Sequence, residues 1–445
     1  MRALLFERNA ARFAAARVTA SLAPGTGAGV GPLRLVDQDP PPVPGPTWRR
    51  VRPRLAGICG SDLATLAGRS SRWFEPVVSF PFVPGHEVVG DLDDGGRVVL
   101  EPVLSCGPRG IEPPCPACAA GHTGRCEQVA FGHLRPGLQT GYCADTGGGW
   151  STSLVAHQSQ LHPVPDGLSD EAAVMVEPAA CAVHAALAAQ RAEGEAVVVL
   201  GAGTLGLATV AALRHFTLPG TLLAGAKHPE QRRLAGDLGA DMVAAPEEVR
   251  RAVRRLTRSL AVGPARGPGR LTGGADTVVD CVGSAASLTE ALAVVRPRGR
   301  IVVVGMPGTT KIDLTPLWQR EISLVGAYAY GVEHRQGPGG SAEPDGRGSG
   351  PAGQDSPGAG TRTFDLAFEL VRVARLGRLV SARYPLERFQ EAIAHAAAAG
   401  RRGGVKVVFD PTTEAPQPTP HPVRGSRARP GSGARRSIPQ RSSPT

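Results

Sequence analysis

Residues 196–216 read AVVVLGAGTLGLATVAALRHF, and this stretch constrains the fold more than any other part of the chain. A short apolar run ends at once in glycines, then continues with apolar residues at helical spacing. Such a pattern encodes a strand, a tight turn and a helix. Within it Gly201, Gly203 and Gly206 form G-x-G-x-x-G. The first glycine permits the turn, the second lets a pyrophosphate approach the backbone, and the third lets helix and strand pack closely. The helix start offers free N–H groups and a positive dipole end. A dinucleotide site is therefore expected at Gly201, Gly203, Thr204, Leu205 and Gly206. Further apolar runs (TLLAGA, TVVDCVG, RIVVVGM, ISLVGAY) alternate with helix-like segments such as PEQRRLAGDLGA and SLTEALAVVR. That alternation predicts an α/β chain with a doubly wound parallel sheet.

Dinucleotide sites that take NAD usually carry Asp or Glu about 20 residues after the first glycine, to hold the ribose 2′-hydroxyl. Here the second strand ends at Ala226, Lys227 and His228, with no acid. A carboxylate would repel a 2′-phosphate, whereas a small residue followed by cations admits it. NADP is therefore expected in preference to NAD, with Lys227, His228 and Arg232 near the phosphate. A solvated loop that favours neither cofactor is the alternative.

The flanking regions differ in character. Residues 1–190 hold short β-type runs broken by Gly and Pro, and read as a mostly β domain with long loops, opening on a first strand with a charged edge. Residues 262–274 and 333–363 are Gly/Pro-rich insertions, the longer expected to be disordered. Residues 364–410 return to helix and strand. The tail 411–445 is Pro/Ser/Arg-rich and expected to be disordered; its six Arg against one acid supply half of the chain's net charge of +10. No internal repeat is evident. The remaining charge is too mild, and a finger pattern too clearly lacking, to favour a nucleic-acid-binding zinc protein, which stays the alternative of another class. No apolar run is long enough for a membrane span. Glu7 and Arg8 interrupt any signal-peptide core, so a cytoplasmic location is expected, with an Arg/Ala-rich transit peptide as the alternative.

Several motifs carry the side chains that bind zinc. GICGSD holds Cys59, Ser61 and Asp62; PGHEVVG holds His86 and Glu87; VMVEPAACAVHA holds Glu177, Cys181 and His184. A separate lobe, SCGPRGIEPPCPACAAGHTGRC, places Cys106, Cys115, Cys118 and Cys126 at C-x8-C-x2-C-x7-C. Zinc imposes tetrahedral geometry on sulfur atoms, not a chain length between them, and extra loop length adds only about 0.6 kcal/mol per doubling. GPRGIEPP can thus bulge outward while Cys106 points in. A lobe of three thiols and a Cys115–Cys118 redox pair are the competing readings. Cys143, Cys181 and Cys281 read as structural or buried thiols.

Taken in order, GICGSD, GHEVVG, the cysteine lobe, VEPAACAVHA, VLGAGTLGL, VVDCVGS and GRIVVVG resemble the zinc-dependent medium-chain dehydrogenases/reductases, the alcohol dehydrogenase superfamily. The likeness covers about 1–332 and 364–410. It implies a GroES-like β-rich catalytic domain (1–180) completed by 327–332 and 364–410, around a Rossmann cofactor domain (181–326). By the same resemblance Cys59 and His86 are catalytic zinc ligands, with Glu177 or Glu87 as the third. Glu177 stands where many alcohol dehydrogenases carry cysteine, as in the polyol, sugar and threonine dehydrogenase branch. The four lobe cysteines would hold a structural zinc.

The resemblance also implies hydride transfer between the nicotinamide and a small-molecule alcohol or carbonyl, a polyol, sugar or secondary alcohol being expected. Ser61 is placed to relay the hydroxyl proton, but Ala64 stands where many relatives have the next relay histidine. Relatives are commonly dimers or tetramers, so a homo-oligomer is expected. A dehydrogenase-like protein without catalysis is the remaining alternative. GDLDDGGRVV (90–99) is shorter than the usual stretch after the histidine ligand, so the domain surface is remodelled there.

Overall fold

A computed structural model describes residues 1–22, 25–263, 269–333 and 360–413. Most of the long insertion, at 334–359, and of the tail, from 414, lie outside the described residues. At both ends of the expected insertion the described residues are structured. Val332–Glu333 pairs antiparallel with Thr361–Arg362, and a helix starts directly at Thr363. The shorter insertion is likewise flanked by an antiparallel pair, Ala261–Val262 against Arg270–Leu271.

The cofactor half is a sheet of six parallel strands. Its order is Met242–Ala244, Thr221–Gly225, Ala196–Leu200, Ala275–Asp280, Val295–Val303 and Ser323–Gly326. Strand order thus reverses beside Ala196–Leu200, and a ligand is expected in the crevice at the carboxyl ends of the strands there. Both faces are covered. The helices Val176–Ala189, Thr204–Phe216 and Thr363–Val373 share one apolar core with this sheet, and Val249–Leu256 and Ala285–Val294 pack on the other side. Strands buried on both faces account for the unbroken apolar runs in the sequence.

The other half is a seven-stranded sheet centred on Trp48–Gly57, which pairs with Val88–Leu92, Leu154–His157 and Lys406–Phe409. The C-terminal strand therefore closes a sheet begun more than 300 residues earlier. The shortened stretch after His86 is a tight hairpin between Val88–Leu92 and Arg97–Leu100. Gly95 and Gly96 turn it at φ near +97° and +95°, a region that other residues rarely adopt.

The N-terminal region is less purely β than its sequence suggests. The first strand, Arg2–Phe6, is followed by a helix at Ala10–Leu22, where alanines supply helix propensity. The helix Val176–Ala189 runs across the expected domain boundary at 180/181.

Candidate functional site

Three of the expected zinc ligands meet at one point. Cys59 caps the short helix Gly60–Leu66 directly after the central strand, and His86 and Glu87 directly precede the next strand. One ligand atom from each of Cys59, His86 and Glu87 lies within 4.8 Å of the others. His86 and Glu87 are buried, and His86 Nδ1 has no hydrogen-bond partner among the described residues. A thiol, an imidazole and a carboxylate converging around an unsatisfied buried nitrogen fit a zinc ion.

Glu177 lies outside that group of three, in the first turn of Val176–Ala189. It still belongs to the same electrostatic neighbourhood. Burial pushes its carboxyl up to about 7, against the pull of His86. Cys181, one helical turn on, has its sulfur 3.8 Å from a Glu177 oxygen. Tyr330 is buried nearby, and after burial itself Glu177 is the strongest influence on its hydroxyl.

Two residues that the motif reading passed over complete the surroundings. Lys406, fully buried on the C-terminal strand, donates to Glu87 and, at 3.2 Å, to the carbonyl of Ile58. The signal in the sequence was a lone lysine inside GGVKVVFD, an otherwise apolar strand. Tyr142 donates to Asp62 Oδ1 at 3.3 Å, and Asp62 Oδ1 lies 3.5 Å from His86 Nδ1. No spacing in the sequence linked Tyr142 to this place. Ser61 Oγ stands 3.5 Å from His86 Nε2. Beyond it the hydroxyls of Tyr142, Thr65 and Ser70 follow in steps of 3.4 and 2.8 Å.

The cysteine lobe gathers all four sulfurs. Cys106, Cys115, Cys118 and Cys126 offer atoms within 4.8 Å of one another, and none is in a disulfide. Cys106 Sγ and Cys126 Sγ are 3.7 Å apart. The edge of a tetrahedron with Zn–S bonds of about 2.3 Å is about 3.8 Å. Backbone N–H groups of Cys115 and Gln128 point at the sulfurs of Cys106 and Cys126, each at 3.4 Å. The group fits zinc, and the reading in which Cys106 stays apart does not match it.

The eight-residue gap does not simply bulge into solvent. Arg109, within it, is fully buried. Its guanidinium donates to the carbonyls of Leu104, Phe131, Leu134, Arg135 and Gly137. The inserted turn is an inward plug that ties the cysteine loop to the following one, because a buried guanidinium needs acceptors and the 131–137 loop offers free carbonyls.

At the cofactor turn Gly201 has φ +91° and its N–H donates to the carbonyl of Gly225 at 3.0 Å. A Cβ on Gly206 would stand 1.8 Å from the carbonyl oxygen of Gly201, so only glycine permits this helix–strand approach. Gly203 caps the helix that Thr204 and Leu205 begin, and the space where its Cβ would lie is open. The second strand delivers Lys227, His228 and Arg232 to the same end of the sheet. Lys227 and Arg232 are exposed and His228 is half-buried at the start of Pro229–Asp237.

Comparison with known proteins agrees with this architecture. Residues 45–166 match the alcohol dehydrogenase GroES-like domain, and 204–337 match the zinc-binding dehydrogenase family. The chain is 30% identical over 314 residues to sorbitol dehydrogenase of Arabidopsis thaliana, covering 65% of this chain and 76% of that one. The chain belongs to the zinc-dependent medium-chain dehydrogenases/reductases. L-idonate 5-dehydrogenase of Vitis vinifera is 29% identical over 297 residues, 64% of this chain and 74% of its own length. An alcohol dehydrogenase of Escherichia coli CFT073 in complex with NADH superimposes with a TM-score of 0.64 at 20% identity, covering 92% of this chain and 99% of that one; this likeness concerns the fold. As a member of this family of dehydrogenases, the chain is an oxidoreductase that works with zinc and a nicotinamide dinucleotide on a small alcohol or carbonyl compound. No helix among the described residues is long and apolar enough to cross a membrane.

Proposed function

We propose that this dehydrogenase interconverts a polyol or sugar-like secondary alcohol and its ketone, with NADP(H) preferred over NAD(H). The observation that carries the substrate reading is the buried Glu177 beside Cys59 and His86, a carboxylate where many alcohol dehydrogenases carry cysteine. The sorbitol and L-idonate dehydrogenase relatives support it. The cofactor reading rests on Ala226, Lys227 and His228 at the end of the second strand, where an NAD site usually presents an acid.

In this reading Cys59, His86 and a glutamate hold the catalytic zinc, which when bound supplies Lewis-acid stabilisation of charge on the substrate oxygen. Glu177 is the better third ligand, because Glu87 is already paired with Lys406 while Glu177 forms no ion pair among the described residues. Ser61 Oγ takes up the substrate proton, with the hydroxyls of Tyr142, Thr65 and Ser70 leading away in place of the histidine that Ala64 replaces. Gly201–Gly206 seats the pyrophosphate, and Cys106, Cys115, Cys118 and Cys126 hold a structural zinc. The zinc-bearing lobe is assigned to 1–180 with 327–332 and 364–410, and the cofactor lobe to 181–326, the helix Val176–Ala189 running across the first of these boundaries. The enzyme is further proposed to be a cytoplasmic homo-oligomer, dimer or tetramer. The edge strand Ser323–Gly326, which has no strand partner on its outer side among the described residues, and the exposed Trp318 beside it are consistent with self-association.

The test is a panel of polyols, sugars and simple secondary alcohols assayed with NADP and with NAD at matched concentrations, with zinc measured on the same sample. Turnover of simple alcohols alone would sink the substrate reading. Equal or better rates with NAD would sink the cofactor reading.

A further inference from the structure

The edge of the nucleotide site is completed by a part of the chain that lies outside the parallel sheet. The turn Ala399–Arg402 comes from the C-terminal segment and brings the backbone of Gly400 against the ring of His228. The approach is so close that a Cβ on Gly400 would stand 2.3 Å from His228 Cδ2 and 2.8 Å from Gln231 Nε2. A side chain at 400 would have to displace the His228 ring and the Gln231 amide.

Its neighbour Arg401 is exposed and has no ion-pair partner among the described residues. After burial, the groups that hold His228 below its ordinary pKa are Lys227, Arg401 and Arg232, all of them cations. The closest acid in sequence, Glu230, is already engaged by both arms of Arg233, at 3.0 and 2.6 Å. Basic side chains from two distant stretches of sequence thus gather at the carboxyl end of Thr221–Gly225, and among the described residues no carboxylate pairs with Lys227, Arg232 or Arg401. Their mutual repulsion is relieved by a multiply charged anion, and a phosphate monoester supplies two charges and three acceptor oxygens.

We propose that Arg401 is a specificity-determining residue, reaching from the C-terminal segment to the 2′-phosphate of NADP across from Lys227 and His228. This rests on the NADP reading above. NAD lacks that phosphate, so Arg401 acts on NADP alone.

Titration calorimetry of the zinc-loaded enzyme with adenosine 2′,5′-bisphosphate and with ADP tests it without turnover. Wild type binds the bisphosphate more tightly than ADP. Arg401→Ala weakens the bisphosphate about tenfold and leaves ADP within about twofold, while Arg401→Lys keeps part of the discrimination. If wild type binds both ligands alike, the NADP reading itself fails, and this inference with it. If wild type discriminates and Arg401→Ala discriminates equally well, or loses both ligands in parallel, the role of Arg401 is overturned and the NADP reading stands.

Discussion

Lys406 Nζ is buried in an ion pair with Glu87, the residue next to the histidine of the candidate catalytic centre. The two residues are 319 positions apart in sequence. The pair joins the last strand of the fold to the segment that carries the metal ligands. Removing one partner leaves an uncompensated buried charge, typically ~3–5 kcal/mol. Lys406→Met should therefore destabilise the protein by an amount of that order in urea unfolding at neutral pH. Lys406→Met combined with Glu87→Gln should recover most of the loss. A single variant as stable as wild type would show that the pair carries no such weight.

Cys59→Ser and His86→Ala should each lower zinc content by one ion per chain. Turnover should fall by at least about a thousandfold, since a Lewis acid contributes several kcal/mol to the barrier. Far-ultraviolet circular dichroism should be unchanged. Near-normal turnover of the zinc-depleted variants would refute the assignment.

The cysteine lobe should behave as a stability element. Cys106→Ser should lose the second zinc ion and lower the unfolding temperature, while kcat measured well below that temperature stays near wild type. Arg109→Ala leaves five carbonyls without their donor. It should loosen zinc retention in the same lobe, read as faster release to a chelator. Unchanged release would mean that the plug does not support the metal loop.

Acid sensitivity should trace in part to Glu101. Burial raises its carboxyl, but the bond from His162, that residue's charge and Arg362 together hold it below the ordinary value of 4.5. As pH falls, the unfolded chain takes up this proton before the folded one. The stability is therefore fully present above about 4.5 and is lost as pH drops through the lower folded value. Glu101→Gln should cost about 2 kcal/mol at pH 7 and flatten the acid limb of the stability curve. An acid limb as steep as wild type would contradict this.

Gly206→Ala should abolish cofactor binding, because its Cβ would meet the carbonyl of Gly201 at 1.8 Å and force the turn open. Fluorescence titration with NADPH measures it directly. Gly203→Ala has open space at the Cβ and should leave the turn itself intact.

Much of this protein was legible along the chain because its signals are local. G-x-G-x-x-G depends on backbone clearance within six residues, and parallel strands buried on both faces show as unbroken apolar runs. Cys59 and the His86–Glu87 pair stood out because zinc chemistry admits few side chains. The helix Ala10–Leu22 does not follow from a first strand with a charged edge; its alanines favour a helix once the strand ends at Phe6.

Other relations are set only when distant segments meet. Lys406 against Glu87, Tyr142 against Asp62, and Gly400 against His228 pair residues from different strands and loops, and no spacing rule connects them. The placement of Glu87 in the close ligand group and Glu177 beside it is of the same kind. So is the inward turn of Arg109, where composition alone suggested a solvated bulge. The fold class, the cofactor turn and the kinds of ligand can be read along the chain, since each depends on local backbone geometry or side-chain chemistry. Tertiary structure decided which charges are buried and what compensates them, because desolvation and Coulomb energy depend on distances in space that no local pattern encodes.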